Sequence, residues 1–326
     1  MRDRVKDESG VVSVLVAAAI LALVGFLALV VDMGAVYVAK RELSQASDAA
    51  ALAAAQEVAR GSAGCPAVAL DYLTANSPEA QLEDCQHDAI DPYDNNPYDN
   101  DREVEVIATR DVPLMFAAIL GRNTVTIRAA SEAEFGPLRS STGLRPFGLC
   151  TASPAFLAWQ ASGHSSTQVF RVSYTKASPQ DCGTAVPGNW GLLDFDGGSN
   201  STNTLRSWVI DGYPGVVSVP AWHDGDPGAF SNALDIHTIV GETVYLPVFD
   251  VATGSGANSS FHVEGIVAVT IVGYQATGSQ ASRYLDLRFE SHVISGDCCD
   301  DEAGALLNTG LLGIRLCELD DAGHCD

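Results

Sequence analysis

The sequence predicts an α+β protein: a single N-terminal transmembrane helix continuing as an amphipathic helix, then a small α+β subdomain and a β-rich exported domain. Three observations carry this expectation. Residues 11–31 form an uncharged apolar run, VVSVLVAAAILALVGFLALVV. Residues 32–60 remain rich in the good helix formers Ala, Leu, Gln and Glu. All eight cysteines lie after the run, among short apolar segments punctuated by many of the 30 glycines and 14 prolines.

The leader, residues 1–10, is short and mixed in charge. The run of 21 residues behind it reaches across the roughly 30 Å hydrocarbon core of a bilayer once, at about 1.5 Å of rise per residue. No alanine-x-alanine cleavage site follows; the next residues are Asp32-Met33-Gly34-Ala35. An ordinary secretory signal has a shorter core and a basic start, so retention as an anchor is expected. Topology is not decided by charge. MRDRVKDE balances three basic side chains against three acidic ones, and Lys40 and Arg41 lie just beyond the span. The cysteines Cys65, Cys85, Cys150, Cys182, Cys298, Cys299, Cys317 and Cys325 give the better indication, because disulfides persist in an oxidising exterior.

Residues 32–60 are expected as an extended amphipathic helix. Val36, Ala39, Leu43, Ala46, Ala50, Ala54 and Val58 fall on one face, with Arg41, Gln45, Asp48 and Gln56 roughly opposite. The stripe is made mainly of small residues, and Ala18 and Ala22 form a small-xxx-small pair within the span. Self-association and packing on the chain's own ectodomain both remain open. Gly61 and Gly64 end the helix, and Pro66 opposes its immediate resumption.

Residues 61–135 are expected as a small α+β subdomain. It has a helix over 67–75, an acidic loop over 82–103, a strand over 104–109, a helix over 112–120 and a strand over 124–130. Pro113 is tolerated near a helix start and Gly121 suits its end. Cys65 and Cys85, both local to this unit, are expected to pair. The Gly/Pro/Ser-bearing stretch 136–146 reads as a linker.

The β-rich domain, 147–295, has strand candidates over 168–174, 216–219, 243–249, 262–272 and 283–292, and helix candidates over 203–211 and 229–240. Residues 296–326 form an acidic, cysteine-containing C-terminal appendage. Cys298 and Cys299 are expected to reach different partners, with Cys317 and Cys325 as candidates, and Cys150 with Cys182 is a further candidate pair.

Composition narrows the chemistry. A formal net charge of -23, from 18 Lys+Arg against 41 Asp+Glu, opposes nonspecific nucleic-acid binding, which needs a basic footprint. Calcium, a hard cation, would find oxygen donors at Asp91, Asp94, Asn95, Asn96, Asp99, Asn100 and Asp101. The spacing is not that of an EF-hand, Pro92 and Pro97 restrict the loop, and a solvated turn is the better reading. Asp194 and Asp196 before Gly197-Gly198 likewise read as an Asx-stabilised turn. Cys298, Cys299, Cys317, His324 and Cys325 could ligate zinc, but disulfides compete for them. No metal or cofactor site is assigned.

Hydrolysis needs a nucleophile, a base and an orienting group. His223, Asp224 and Asp226 lie close together, and His237, His262 and His292 are available, yet no nucleophile elbow accompanies them. No catalytic residue is assigned, and no phosphate-binding glycine motif occurs. Trp159, Trp190, Trp208 and Trp222 are expected in core or interface positions, with a glycan or peptide groove as the alternative.

Residues 8–55 resemble the N-terminal segment of TadG-like proteins of the tight-adherence, or Flp, pilus-assembly systems. The resemblance rests on Glu8-Ser9-Gly10, on Val31-Asp32-Met33-Gly34, and on Leu43-Ser44-Gln45-Ala46-Ser47-Asp48-Ala49-Ala50-Ala51-Leu52-Ala53. Residues 189–198, 205–213, 243–250 and 261–266 resemble, in that order, a C-terminal module of such proteins. The resemblance implies a cytoplasmic N-terminus, a periplasmic or extracellular remainder, and partners in the bacterial inner membrane and among other pilus-assembly or pilin-like proteins. It supplies no catalytic inventory and leaves any surface ligand unknown. Related pilins carry a peptidase site with glycine before the cut and glutamate five residues after it; Gly10 fits the first, but Leu15 stands at the second. An uncut anchor is therefore expected.

Overall fold

An unbroken supply of Ala, Leu and Val with no proline keeps one helix, α1 (Ser9–Ala59), continuous for 51 residues, about 75 Å at the standard rise. The computed structural model describes residues 9–61, 64–87, 102–174, 191–198, 201–227, 230–279, 282–299 and 306–317. The acidic-loop donors Asp91, Asp94, Asn95, Asn96, Asp99, Asn100 and Asp101 lie outside the described residues, as do Cys182, Trp190, His324 and Cys325.

The two halves of α1 differ in their surroundings. From Val12 to Val31 its large apolar side chains are exposed, and this helix is long and apolar enough to cross a membrane. From Ala39 onward, Ala39, Leu43, Ala46, Ala50 and Ala54 are buried in a core of their own. The small-residue stripe is thus filled by the chain's own head, and alanine allows that close approach. Asp48, expected on the opposite side, accepts a hydrogen bond from Ser131 Oγ at 2.6 Å, because the sheet wraps further round the helix than a flat partner would.

Helix α2 (Cys65–Asn76) folds back beside α1 and feeds β1 (Gln81–His87). The disulfide Cys65–Cys85 joins them as expected, closing a separation of 20 residues, worth on the order of 3 kcal/mol for a loop of that size. Part of the expected acidic loop is therefore strand: the polar β1 lies at a sheet edge, where one face can stay solvated.

Next come β2 (Glu103–Pro113) and β3 (Thr124–Pro137), an antiparallel hairpin paired from Glu103↔Glu134 to Pro113↔Thr124. The helix expected over 112–120 is absent. Val112 and Pro113 complete β2, and only a 3-10 turn, Ala117–Leu120, forms at the tip before the left-handed Gly121, φ 88°. Ladder pairing up to Pro113 wins because proline can close a strand but gives a helix no donor. Residues 136–146 hold the end of β3 and the short β4 (Ser140–Ser141), and Leu138 and Leu144 are buried.

The remaining elements are β5 (Leu149–Cys150), α3 (Pro154–Ala161), β6 (Val169–Ser173), β7 (Leu192–Asp194), α4 (Thr202–Asp211), β8 (Val217–Ser218), β9 (Ala221–Asp226), β10 (Thr243–Thr253), β11 (Ser260–Gln275), β12 (Tyr284–Glu290), β13 (His292–Ser295) and β14 (Leu311–Leu316). Ser153 starts α3 and Ser201 starts α4, each accepting a backbone N–H three residues on. Where a helix was expected over 229–240, two 3-10 turns flank Asp235, whose left-handed φ of 51° interrupts any helix.

The strands form two main sheets. The first runs β1-β2-β3-β14-β13 and carries α1 and α2. The second runs β5-β10-β11-β12-β6, with β9 added to β11 and β7 to β9. Its main core contains Trp159, Trp208, Phe147, Tyr174 and Phe230, and Tyr174 stacks on Phe230 at 5.0 Å. The C-terminal region is part of the first sheet: β14 inserts between β3 and β13.

Cys298 and Cys299 are bonded to each other, against the expectation of separate partners. The pair lies over a place where the β3–β14 ladder sets Gly136 opposite Gly313. Two facing glycines leave room for this small ring, a relation not visible in local spacing. Cys150 and Cys317 are each held in a disulfide as well.

Candidate functional site

Two places combine polar groups in arrangements beyond simple packing. The first is the junction between α1 and the β2–β3 hairpin. The hairpin runs alongside α1 with its tip toward the apolar half: Ser131 meets Asp48, the Arg128 carbonyl accepts from Lys40, and Arg110 pairs with Glu42 at 2.9 Å. At the tip, the Asp32 carboxylate accepts backbone N–H bonds from Met115 (2.9 Å), Phe116 (3.1 Å) and Ala117 (2.8 Å). These are the orphan donors at the start of the 3-10 turn, capped by a residue more than eighty positions away. Asp32 is thereby buried, while Met115 and Ile119 on the same tip are 72% and 82% exposed.

The second place is a cluster of partly buried Asp250, His262 and Glu264 on β10 and β11 of the second sheet. Register shifts leave Glu264 unpaired between the Val248↔Gly265 and Phe249↔Val263 pairs, and Asp250 unpaired between Phe249↔Val263 and Val251↔His262. These adjacent β-bulges re-aim both carboxylates, bringing them beside His262. His262 Nδ1 lies 2.8 Å from Asp250 Oδ1, and one potential ligand atom from each residue lies within 4.8 Å of the others.

Burial, then the charge of Asp250 and a hydrogen bond with it, push the Glu264 carboxyl above its ordinary range, while His262 pulls the other way. Burial also opposes ionisation of Asp250. The hydrogen bonds from His262 and the Val251 N–H prevail and hold Asp250 below its usual value. One imidazole and two carboxylates could hold a divalent cation as a loose triad. The exposed indole of Trp222 stands beside it, 5.2 Å from the His262 ring.

His262 therefore hydrogen-bonds within a strand, as its sequence position implied. Asp250 and Glu264 were missed. The alternation His262-x-Glu264 offered a signal for the latter, but a bulge leaves no trace that would have selected Asp250. Asp32 was missed as a ligand to backbone because its partners are remote in sequence.

Among the described residues, the other candidates do not gather into one cleft. Asp194 Oδ1 accepts the Asp196 N–H and Asp196 Oδ1 accepts the Gly198 N–H, both at 3.1 Å, which makes the expected Asx turns. Cys298, Cys299 and Cys317 are in disulfides, so their thiolates are not offered to zinc. The His223 ring meets Phe195 edge-on at 5.8 Å, and burial lowers its pKa. Ser260 Oγ donates to Asp224 at 3.2 Å, whereas Asp226 is buried in the β7–β9 ladder. His237 is exposed near Asp235, and His292 of β13 pairs with Leu311 of β14. Trp159 and Trp208 are core residues, but Trp222 is 55% exposed.

Residues 10–57 match the family model described as Putative Flp pilus-assembly TadE/G-like, which supports a TadG-like assignment of the N-terminal region. Neither the curated proteins nor the solved structures provide a match.

Proposed function

From this Tad-type N-terminal region, we propose that the protein is a membrane-anchored structural or assembly component of a tight-adherence pilus, acting through protein–protein contacts. The observation that carries the reading is the continuity of α1, whose exposed apolar half leads without a break into the buried core of the head. A helix shared by span and head transmits position and load as one body, which a flexible tether does not. The N-terminus is cytoplasmic and the head is periplasmic or extracellular; the Cys65–Cys85 and Cys298–Cys299 bonds suit that exterior. The work is mechanical and interfacial and needs no catalytic residue.

Deleting residues 11–31 should move the chain from the membrane fraction to the soluble fraction. Retention in the membrane would defeat the anchor. Cross-linking of the native protein should capture inner-membrane Tad components or pilins, and loss of the chain should reduce assembled pili; normal pili without it would defeat the assembly role. N-terminal sequencing distinguishes an intact leader, expected because Leu15 replaces the glutamate of processed pilins, from a mature end at Val11.

A second reading, a surface ligand-binding module on the same anchor, is favoured by one observation. Exposed Trp222 beside Asp250, His262 and Glu264 provides an aromatic face next to polar groups. Normal pilus assembly by a Trp222→Ala variant, with loss of surface attachment, would support it over the first.

A further inference from the structure

We propose that the tip of the β2–β3 hairpin, residues 114–122, is a second membrane contact that inserts Met115 and Ile119 into the lipid at the edge of the bilayer. The inference rests on the anchor reading above and goes beyond it by assigning a lipid-facing surface to the head. Its first support is level. Twenty residues, Val12 to Val31, span about 30 Å, the thickness of the hydrocarbon core. Glu8 and Asp32 bracket that stretch, so Asp32 falls at the boundary between hydrocarbon and headgroups. The hairpin tip is fixed to Asp32 by three backbone N–H groups and shares that level.

The second support is exposure. Among the exposed large hydrophobics described, Ile119 at 82% exceeds every side chain of the apolar half of α1, and Met115 at 72% exceeds all of those except Leu21 at 73%. Two large apolar side chains this exposed on one tip form a patch that lipid would cover. Third, the flanking chemistry is graded as an interface requires. Exposed Arg122 follows the apolar tip and can reach phosphate, while Tyr37, 71% exposed on α1, lies about 8 Å farther from the span at headgroup depth.

The clamp also answers a problem at the membrane edge. A bare carboxylate beside hydrocarbon is costly; here the tip covers Asp32, satisfies it with backbone donors, and turns its own apolar side chains outward. Two contacts, span and tip, fix the tilt and rotation of the head on the bilayer, where one helix alone leaves it free to rotate about its axis.

The test uses the full chain in nanodiscs of phosphatidylcholine and phosphatidylglycerol, made with ordinary or chain-brominated lipid. Met115→Trp and Ile119→Trp each add an emitter at the tip. Leu70→Trp is the control, on α2, which begins five or six residues after α1 ends at Ala59, about 40 Å from Asp32 along the helix axis. Brominated lipid should abolish most of the added emission at 115 and 119 and leave that at 70 intact. Equal emission in both lipids at 115 and 119, in a chain that resists alkaline carbonate extraction, would overturn the proposal and point to water or another protein over the tip. Release of the parent chain by carbonate would overturn the anchor reading and this inference with it.

Discussion

Glu132 belongs to a set of four glutamates that the β2–β3 ladder places opposite one another, Glu105 facing Glu132 and Glu103 facing Glu134. Like charges directly across a sheet are destabilising, and Arg315 on β14 pairs with Glu134. Burial, followed by the charges of Glu103, Glu105 and Glu134, raises the Glu132 carboxyl from 4.5 to about 7. The folded protein therefore holds a proton that the unfolded chain has released, and its stability falls as pH rises from 4.5 to about 7. Glu132→Gln should remove that slope: thermal unfolding should show variant and parent alike below pH 4.5 and the variant more stable at pH 8. A parallel pair of curves across the range would refute the assignment. Asp32 carries a different load, since its loss leaves three backbone donors without their acceptor. Asp32→Ala should cost about 1–3 kcal/mol and accelerate hydrogen exchange at Met115, Phe116 and Ala117; unchanged exchange there would mean the tip holds itself.

Two facing glycines give the β3–β14 ladder its tolerance for the Cys298–Cys299 ring. A Cβ on Gly313 would lie 2.8 Å from Cys298 Cβ and 2.9 Å from Leu138 Cδ2, and the first of these has no flexible end to swing away. Gly313→Ala should cost about 1–3 kcal/mol through overpacking, measurable as a lower midpoint in chemical denaturation. An unshifted midpoint would show the ring to be loosely seated. The same ladder illustrates what the sequence could reveal. Apolar runs announced α1, β2, β6 and the cores of β10 to β12, because burial needs such residues at regular intervals. The tip at 114–120 looked helical for the same reason: an apolar stretch facing lipid or core reads alike by periodicity. Asp250 and Glu264 were hidden by bulges, which shift register without changing composition. The pairing of Gly136 with Gly313 depends on a contact across the whole chain, beyond any local pattern.

The head is tied together by segments that serve both sheets. Only Ser291 separates β12, in the second sheet, from β13, in the first. Residues 306–317 do the same from the other side: β14 pairs with β3 and β13, while the preceding Thr309 hydrogen-bonds the Ile266 carbonyl of β11, and its own carbonyl accepts from Trp159 Nε1 at 2.7 Å. Under the proposed mechanical role, a load entering through α1 would pass to the first sheet, and through β13, β14 and Thr309 to the second. Such an arrangement should unfold as one cooperative unit, with the C-terminal strand as a keystone. Truncation after residue 305 would leave β3 and β13 unpaired on their β14 sides and expose Leu138 and Ile266 beneath the lost Leu311. The expected result is a head that loses its sharp unfolding transition and becomes open to protease, while the chain still sediments with membranes because α1 retains its apolar half. A truncated head that melts as sharply as the parent, at the same temperature, would show that the two sheets are stable independently and that the load path does not run through β14.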